Sequence, residues 1–181
     1  MNEFENDIDK SLKTLQQGGI LLYPTDTIWG LGCDATNKTA INTIFDIKHR
    51  NPNKSMIILV ADVKMIQRYV ENPSESLLQA MKNANTPTTA IFNNAKNLPA
   101  NLTNKDRSIA IRIASDEFCR ELISRFQKPL VSTSANISDS PSPQNFSEIS
   151  PVLLSQVDYT VHYRRNEQTK KNPSHIIRLD K

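Results

Sequence analysis

Leu21 to Ala35 reads LLYPTDTIWGLGCDA, and the reading of the whole chain turns on this stretch. It opens as an apolar strand that Pro24 ends, because proline has no N–H to give a ladder. Thr25, Asp26 and Thr27 follow, three short side chains suited to bonding backbone or a ligand. Gly30 and Gly32 flank Leu31 and permit either tight turns or a close approach of backbone. The chain has four glycines, Gly18, Gly19, Gly30 and Gly32, all within its first 32 positions. A ligand loop that needs glycine must lie here, so the stretch is expected to form the rim of a small-molecule site.

Outward from this stretch, strand and helix patterns alternate. Phe4, Ile8, Leu12 and Leu15 recur at helical spacing, and Gly18-Gly19 stops that helix before a strand at Ile20 to Tyr23. Asn37 is a plausible cap for a second helix burying Ile41, Ile44, Phe45 and Ile47 and ending around Lys48 to Arg50. Ser55 to Val60 reads as a buried strand, Asp62 caps a brief helix, and Pro73 starts another that runs to about Ala84. Thr88 to Phe92 and Ser108 to Ile113 are strands separated by the polar loop Asn93 to Arg107. Ser115 is expected to cap a helix with Asp116 and Glu117 in its first turn. Leu130 to Thr133 is another strand, Ser138 to Ser150 an ordered loop, and Val152 to Gln156 a short helical piece. Tyr159 to Tyr163 and His175 to Leu179 are expected to pair as closing strands. The alternation predicts an α/β class with a mixed sheet, as a single domain over residues 1–181.

A chain of 181 residues buries roughly 70% of its unfolded surface and needs no staples. No apolar run approaches the ~18 residues of a membrane span, and the acidic N-terminus MNEFENDIDK is no signal peptide. Cys33 and Cys119 stand singly, as reduced, buried thiols of a cytoplasmic protein. The net charge of +3 is unevenly spread. Tyr163 to Lys181 holds Arg164, Arg165, Lys170, Lys171, Arg178 and Lys181 against Glu167 and Asp180, a local excess of +4. Such an end either attracts polyanions or is a solvated tail.

Several chemistries lack their motif. The chain has no GxxxxGK[ST], GxGxxG or GxSxG, and His49, His162 and His175 are scattered without metal-ligand spacing. Side chains must therefore do most of any phosphate work. Lys48, Arg50 and Lys54 form a cationic run between a helix and a strand, which serves either an anion or the helix C-terminus. Ser132-Thr133-Ser134-Ala135-Asn136 lies past a buried strand, where α/β sheets commonly hold ligands, although caps and turns use the same residues. Arg112, inside SIAIRI, either snorkels outward or meets an anion.

Together these pieces resemble the YrdC-like family of threonylcarbamoyl-AMP synthases, which includes YciO-type proteins and a domain of carbamoyl-transfer proteins. The resemblance runs from about Gly18 to Leu179 and rests on YPTDTIWGLGCDA, the K-x-R of Lys48 and Arg50, and the S-x-N of Ser134 and Asn136. Pro87 and Thr89 in TPTTAIF, Arg112 in IAIRI and Ser174 in NPSHII add to it. The chain departs from the family pattern at Lys54-Ser55-Met56 where K-P-L is common, at Asp139 where glycine follows serine, and at Ala114 where proline is usual. Of the P-G-P before Thr89 it keeps Pro87 alone.

The resemblance implies a twisted sheet with a concave, positively charged cavity. It implies a nucleotidyltransferase that joins L-threonine, bicarbonate and ATP, with magnesium on the phosphates, into threonylcarbamoyl-adenylate and pyrophosphate. That product feeds tRNA modification alongside partner proteins. Lys48, Arg50, Ser134 and Asn136 are then the expected catalytic set. Lys54, Thr89, Arg112 and Ser142 would serve the nucleotide, and Thr25, Ser132 and Ser174 the amino acid; no protein metal cage is expected. Two other readings stay open: a YciO-type paralogue with another substrate, and a non-catalytic module binding tRNA or double-stranded RNA.

Overall fold

The computed structural model describes residues 3–52, 54 and 56–178. Ser55 and Leu179, the outer ends of two expected strands, lie outside the described residues, as do Asp180 and Lys181 of the basic end.

The expected alternation forms. α1 (Glu5–Gln16) lays Ile8 and Leu15 inward; β1 (Leu21–Tyr23) and β2 (Gly30–Gly32) follow, both wholly buried. α2 (Lys38–Ile47) starts at Asn37, whose side chain accepts from the N–H groups of Thr39 and Ala40, and it buries the four apolar residues expected. β3 (Ile57–Val60) leads through the Asp62 cap into α3 (Val63–Tyr69), and α4 (Glu75–Lys82) is capped by Ser74. β4 (Thr88–Phe92), β5 (Ile109–Ile113), α5 (Glu117–Phe126), β6 (Leu130–Ser134), α6 (Pro151–Leu154), β7 (Tyr159–Thr160) and β8 (His175–Ile177) complete the order. Cys33 and Cys119 are free and buried. Among the described residues no helix is long and apolar enough to cross a membrane.

The strands form one mixed eight-stranded sheet in the order β7-β1-β2-β6-β3-β5-β4-β8. β1, β3 and β4 have the parallel partners β7, β5 and β8, while the pairs β1–β2, β2–β6, β3–β6 and β4–β5 are antiparallel. The ladder registers set the site. Gly30 pairs Ser134, Ser132 pairs Ile57, Ile57 pairs Ala110, and Arg112 pairs Thr89. Directly paired residues face the same side and alternate residues along a strand share a face. Gly30, Ser132, Ser134, Ile57, Arg112 and Thr89 therefore look out from one side of the sheet, although they come from five strands. Val131, Ile58, Val60, Ile111, Ala90 and Phe92 point to the other side and are buried there.

Of the two uses open for Gly30 and Gly32, the structure takes the close approach of backbone, and both lie in a strand. Two expectations are corrected. The cap of α5 is Asp116, which accepts from Cys119 N at 3.0 Å, because Ser115 gives its N–H and hydroxyl to Asp26 instead. β7 and β8 do not pair with each other: they pair β1 and β4 and lie at opposite edges of the sheet.

Candidate active site

A cavity of about 140 Å3 opens on the shared face, lined by Thr25, Trp29, Arg112, Ser132, Ser134 and Ser174 among others. A groove of about 690 Å3 between α3, α4 and the end of β5 is larger, but none of the expected site residues lines it. Volume does not select the site here; the convergence of polar side chains does.

The floor is a strand end held by a lysine. Lys48, in the cap of α2 and 1% exposed, sends its ammonium to the carbonyl oxygens of Ser134 (2.5 Å) and Asn136 (2.6 Å) and to Asn136 Oδ1 (3.3 Å). Ser134 Oγ donates to the same Oδ1 at 2.5 Å, and Asn136 Nδ2 donates to Ser140 O at 2.6 Å. Ser138 N returns to Lys48 O at 2.8 Å, so the helix end and the turn after β6 hold each other. Burial, with the neighbouring Arg50 charge adding to it, pulls the Lys48 ammonium down to about 8.

Arg50 is half-buried. Its Nε donates to Lys54 O at 3.1 Å; burial lowers its pKa and the Asp139 carboxylate opposes that shift. Lys54 and Asp139 pair at 3.4 Å with their side chains 56% and 86% exposed, so Asp139 lies out in solvent beside the cations. Asp139 also has φ +66, a left-handed backbone that glycine adopts more easily than aspartate.

Thr25 is buried, and its hydroxyl is engaged in its own turn: it donates to Ile28 O at 2.7 Å and accepts from Thr27 N at 3.1 Å. Of the two outcomes open for Arg112, it meets an anion, and that anion is internal. Its Nη2 stands 3.0 Å from Asp26 Oδ1, with both side chains buried, while its Nε is a buried donor with no partner. Thr89 Oγ1 and Ser174 Oγ are 2.8 Å apart, which closes the cavity on the β4 side. Ser142 is exposed, does not line the cavity and has its carbonyl facing Gln144 Nε2 at 3.4 Å. Among the described residues no group of three or more His, Cys, Asp and Glu could hold a metal ion.

The structure thus brings Thr25, Arg112, Ser132, Ser134 and Ser174 to one wall and ties Lys48 and Asn136 to it, with Arg50 beside them. Lys54 and Ser142 stay outside. The basic end is also engaged: Arg164 contacts Asp116, Glu167 and Thr25 O, Arg165 donates to Thr160 O and Val161 O, and Lys171 pairs Glu167. Sequence reasoning missed Asp26 as the partner of Arg112, Trp29 as cavity wall, and Arg164 as a fastener. A carboxylate beside a glycine-bearing strand and a lone arginine in an apolar one were the available signal for the first. No local pattern announced the other two.

Known proteins resemble this chain in sequence and fold. The profile of the Sua5_yciO_yrdC family, described as telomere recombination, matches residues 13–181. The threonylcarbamoyl-AMP synthase of Xanthomonas campestris is 30% identical over 155 residues, covering 84% of this chain and 83% of that one. E. coli YciO superposes with a TM-score of 0.82 at 25% identity, over 99% of this chain and 87% of that one. P. abyssi Sua5 complexed with L-threonine shares the fold, with a TM-score of 0.83 at 24% identity over 97% of this chain; the match spans about half (51%) of that longer protein. The extent of the profile match settles the family: this chain belongs to the Sua5/YciO/YrdC proteins.

Proposed function

We propose that the chain is a threonylcarbamoyl-AMP synthase, a nucleotidyltransferase that makes threonylcarbamoyl-adenylate and pyrophosphate from L-threonine, bicarbonate and ATP. The observation that carries the reading is the meeting of Ser132, Ser134 and Arg112 on the wall of one small cavity whose floor Lys48 fastens to Ser134 and Asn136. About 140 Å3 is well below the ~300–1,000 Å3 of pockets for larger ligands, which suits an amino acid and leaves a nucleotide lying outside it. The unpartnered Arg112 Nε supplies a donor for a small carboxylate. ATP then runs along the Ser134–Asn136 turn toward Lys48 and Arg50.

Bicarbonate takes up a proton and loses water to give carbon dioxide, and threonine's amine adds to its carbon and loses a proton, giving a carbamate. A carbamate oxygen attacks the α-phosphorus of ATP, and the bond to the β-phosphate oxygen breaks to release pyrophosphate. Both reactants are anions, so fixed positive charge has to offset their repulsion and the charge on the transferred phosphorus. Arg50 meets the phosphates directly, and Lys48 acts at the turn that cradles them. Magnesium would accompany the nucleotide and offset part of the charge on its phosphates. We read residues 1–181 as one cytoplasmic domain whose product passes to tRNA-modifying partners.

The test is ATP–pyrophosphate exchange with threonine and bicarbonate omitted in turn. Exchange should need both. Exchange independent of threonine points to a YciO-type substrate, and no exchange alongside salt-dependent RNA binding sinks the enzyme reading. Arg50→Ala should lose on the order of 10²–10³ in rate, as for one charge-stabilising donor.

A further inference from the structure

The segment joining the two outermost strands crosses the whole sheet. β7 and β8 are seven strand spacings apart in the sheet order. The sheet curls enough for Thr25, just past β1, and Ser174, just before β8, to line one small cavity, and residues 161–174 form the strap that joins the two edges. The strap runs over the face that carries the site: Pro173 and Ser174 line the cavity, while Thr169 and Lys171 close against Thr27 and Trp29 and leave about 10 Å3 between them. From 168 to 173 no backbone hydrogen bond holds the strap among the described residues.

One side chain fastens its near end. Arg164 donates to Asp116 Oδ2, to Glu167 Oε2 at 2.5 Å and to Thr25 O at 3.3 Å. Glu167 in turn faces Lys171 at 3.7 Å. A single planar guanidinium thus joins the loop of Thr25, the cap of α5 and the strap, a task for a fork of donors and not for a point charge. Arg164 also has φ +65, a backbone that an arginine adopts at a cost and keeps where its surroundings fix it.

We propose that Arg164 is a positioning residue that sets how tightly the strap closes the cavity, and so limits the substrate to a small polar amino acid. The substrate half of this inference rests on the reading of the site as threonine-consuming; the closure half does not.

The experiment uses Arg164→Gly and Arg164→Lys in the full chain. Glycine adopts φ +65 freely, so Arg164→Gly removes the guanidinium without straining the backbone. Trp29, the chain's single tryptophan, is 5% exposed on the cavity wall and reports closure by acrylamide quenching of its fluorescence. Below the unfolding transition, quenching should rise several-fold in Arg164→Gly and by less in Arg164→Lys. In pyrophosphate release, KM for threonine should rise about tenfold in Arg164→Gly with kcat within twofold, and discrimination against bulkier amino acids should relax. Unchanged quenching overturns the closure, and raised quenching with an unchanged KM overturns the substrate limit. A wild-type chain without threonine-dependent release overturns the reading of the site and with it the substrate half, and quenching still decides the closure.

Discussion

Lys48 and Asn136 are joined twice: the ammonium lies 2.6 Å from the asparagine's carbonyl oxygen and 3.3 Å from its Oδ1. A helix end and a strand end are thereby fixed to each other by one buried cation, and the turn proposed to cradle the phosphates would inherit that cation's titration. The Lys48 pKa is lowered from its ordinary 10.5 to about 8. Between those values the unfolded chain binds a proton that the folded chain has released, so folding gains stability as pH rises through that window. Against Lys48→Met, the wild type should gain up to roughly 3 kcal/mol from pH 7.5 to 10.5, read as urea midpoints across pH. Activity should run the other way. Pyrophosphate release falls above about pH 8 as the ammonium is lost, and Lys48→Arg should move that limb upward. Matching alkaline limbs in the two proteins would remove Lys48 from the titration.

Asp26 and Arg112 form an ion pair with side chains 6% and 4% exposed. Asp26→Asn leaves the guanidinium buried against a neutral amide and should cost about 3–5 kcal/mol. The double variant Asp26→Asn with Arg112→Gln leaves no buried charge and should recover part of that loss. Urea midpoints of the two singles and the double complete the cycle. A double variant less stable by the sum of the singles would mean that the pair is not coupled.

Most of the fold was legible because each element carried its own local signal. Asn37 and Asp62 cap where their side chains predict, and Ile41, Ile44, Phe45 and Ile47 go inward together. The errors arose where a distant partner outbid a local preference. Ser115 has the chemistry of a cap, but Asp26, 89 positions away, takes its hydroxyl and N–H, and the cap moves to Asp116. The two closing strands are each too short for sequence to reveal their partners, and proximity in the chain suggested a hairpin where the sheet puts them at opposite edges. In the site, the family resemblance pointed to residues, but not to which of them face one another. Thr25 looked like a ligand group and its hydroxyl is engaged in a turn; Arg164 looked like a free cation and is a fastener.

Asp139 holds φ +66 with its side chain 86% exposed. Asp139→Gly relieves that backbone, and the lost pair with exposed Lys54 contributes little. The variant should be more stable by about 0.5–1 kcal/mol, read in urea. It also removes a carboxylate whose charge acts on Arg50, so KM for ATP should fall. An unchanged KM would show that the nucleotide does not approach this turn.

Gly30 and Gly32 stand two residues apart on the same strand and face, and substitution should separate their roles. A Cβ on Gly32 would lie 2.5 Å from both Tyr23 Cε1 and Val131 O, inside the closely packed β1–β2–β6 layer. Neither neighbour is free to move: Tyr23 is fully buried and its hydroxyl donates to that same Val131 carbonyl at 3.1 Å. Gly32→Ala should therefore destabilise the fold by about 3 kcal/mol, at the upper end of core overpacking. A Cβ on Gly30 meets Thr133 O at 3.2 Å and Ser132 Oγ at 3.4 Å, contacts that a shift of a few tenths of an ångström relieves. Gly30→Ala should lose no more than about 1 kcal/mol but raise KM for threonine, because its methyl enters the cavity beside Ser132 and Thr25. Urea midpoints and steady-state pyrophosphate release on both variants make the comparison. If Gly30→Ala lost stability and kept its KM, the space between Gly30 and Ser132 would serve packing and the amino acid would have to bind elsewhere.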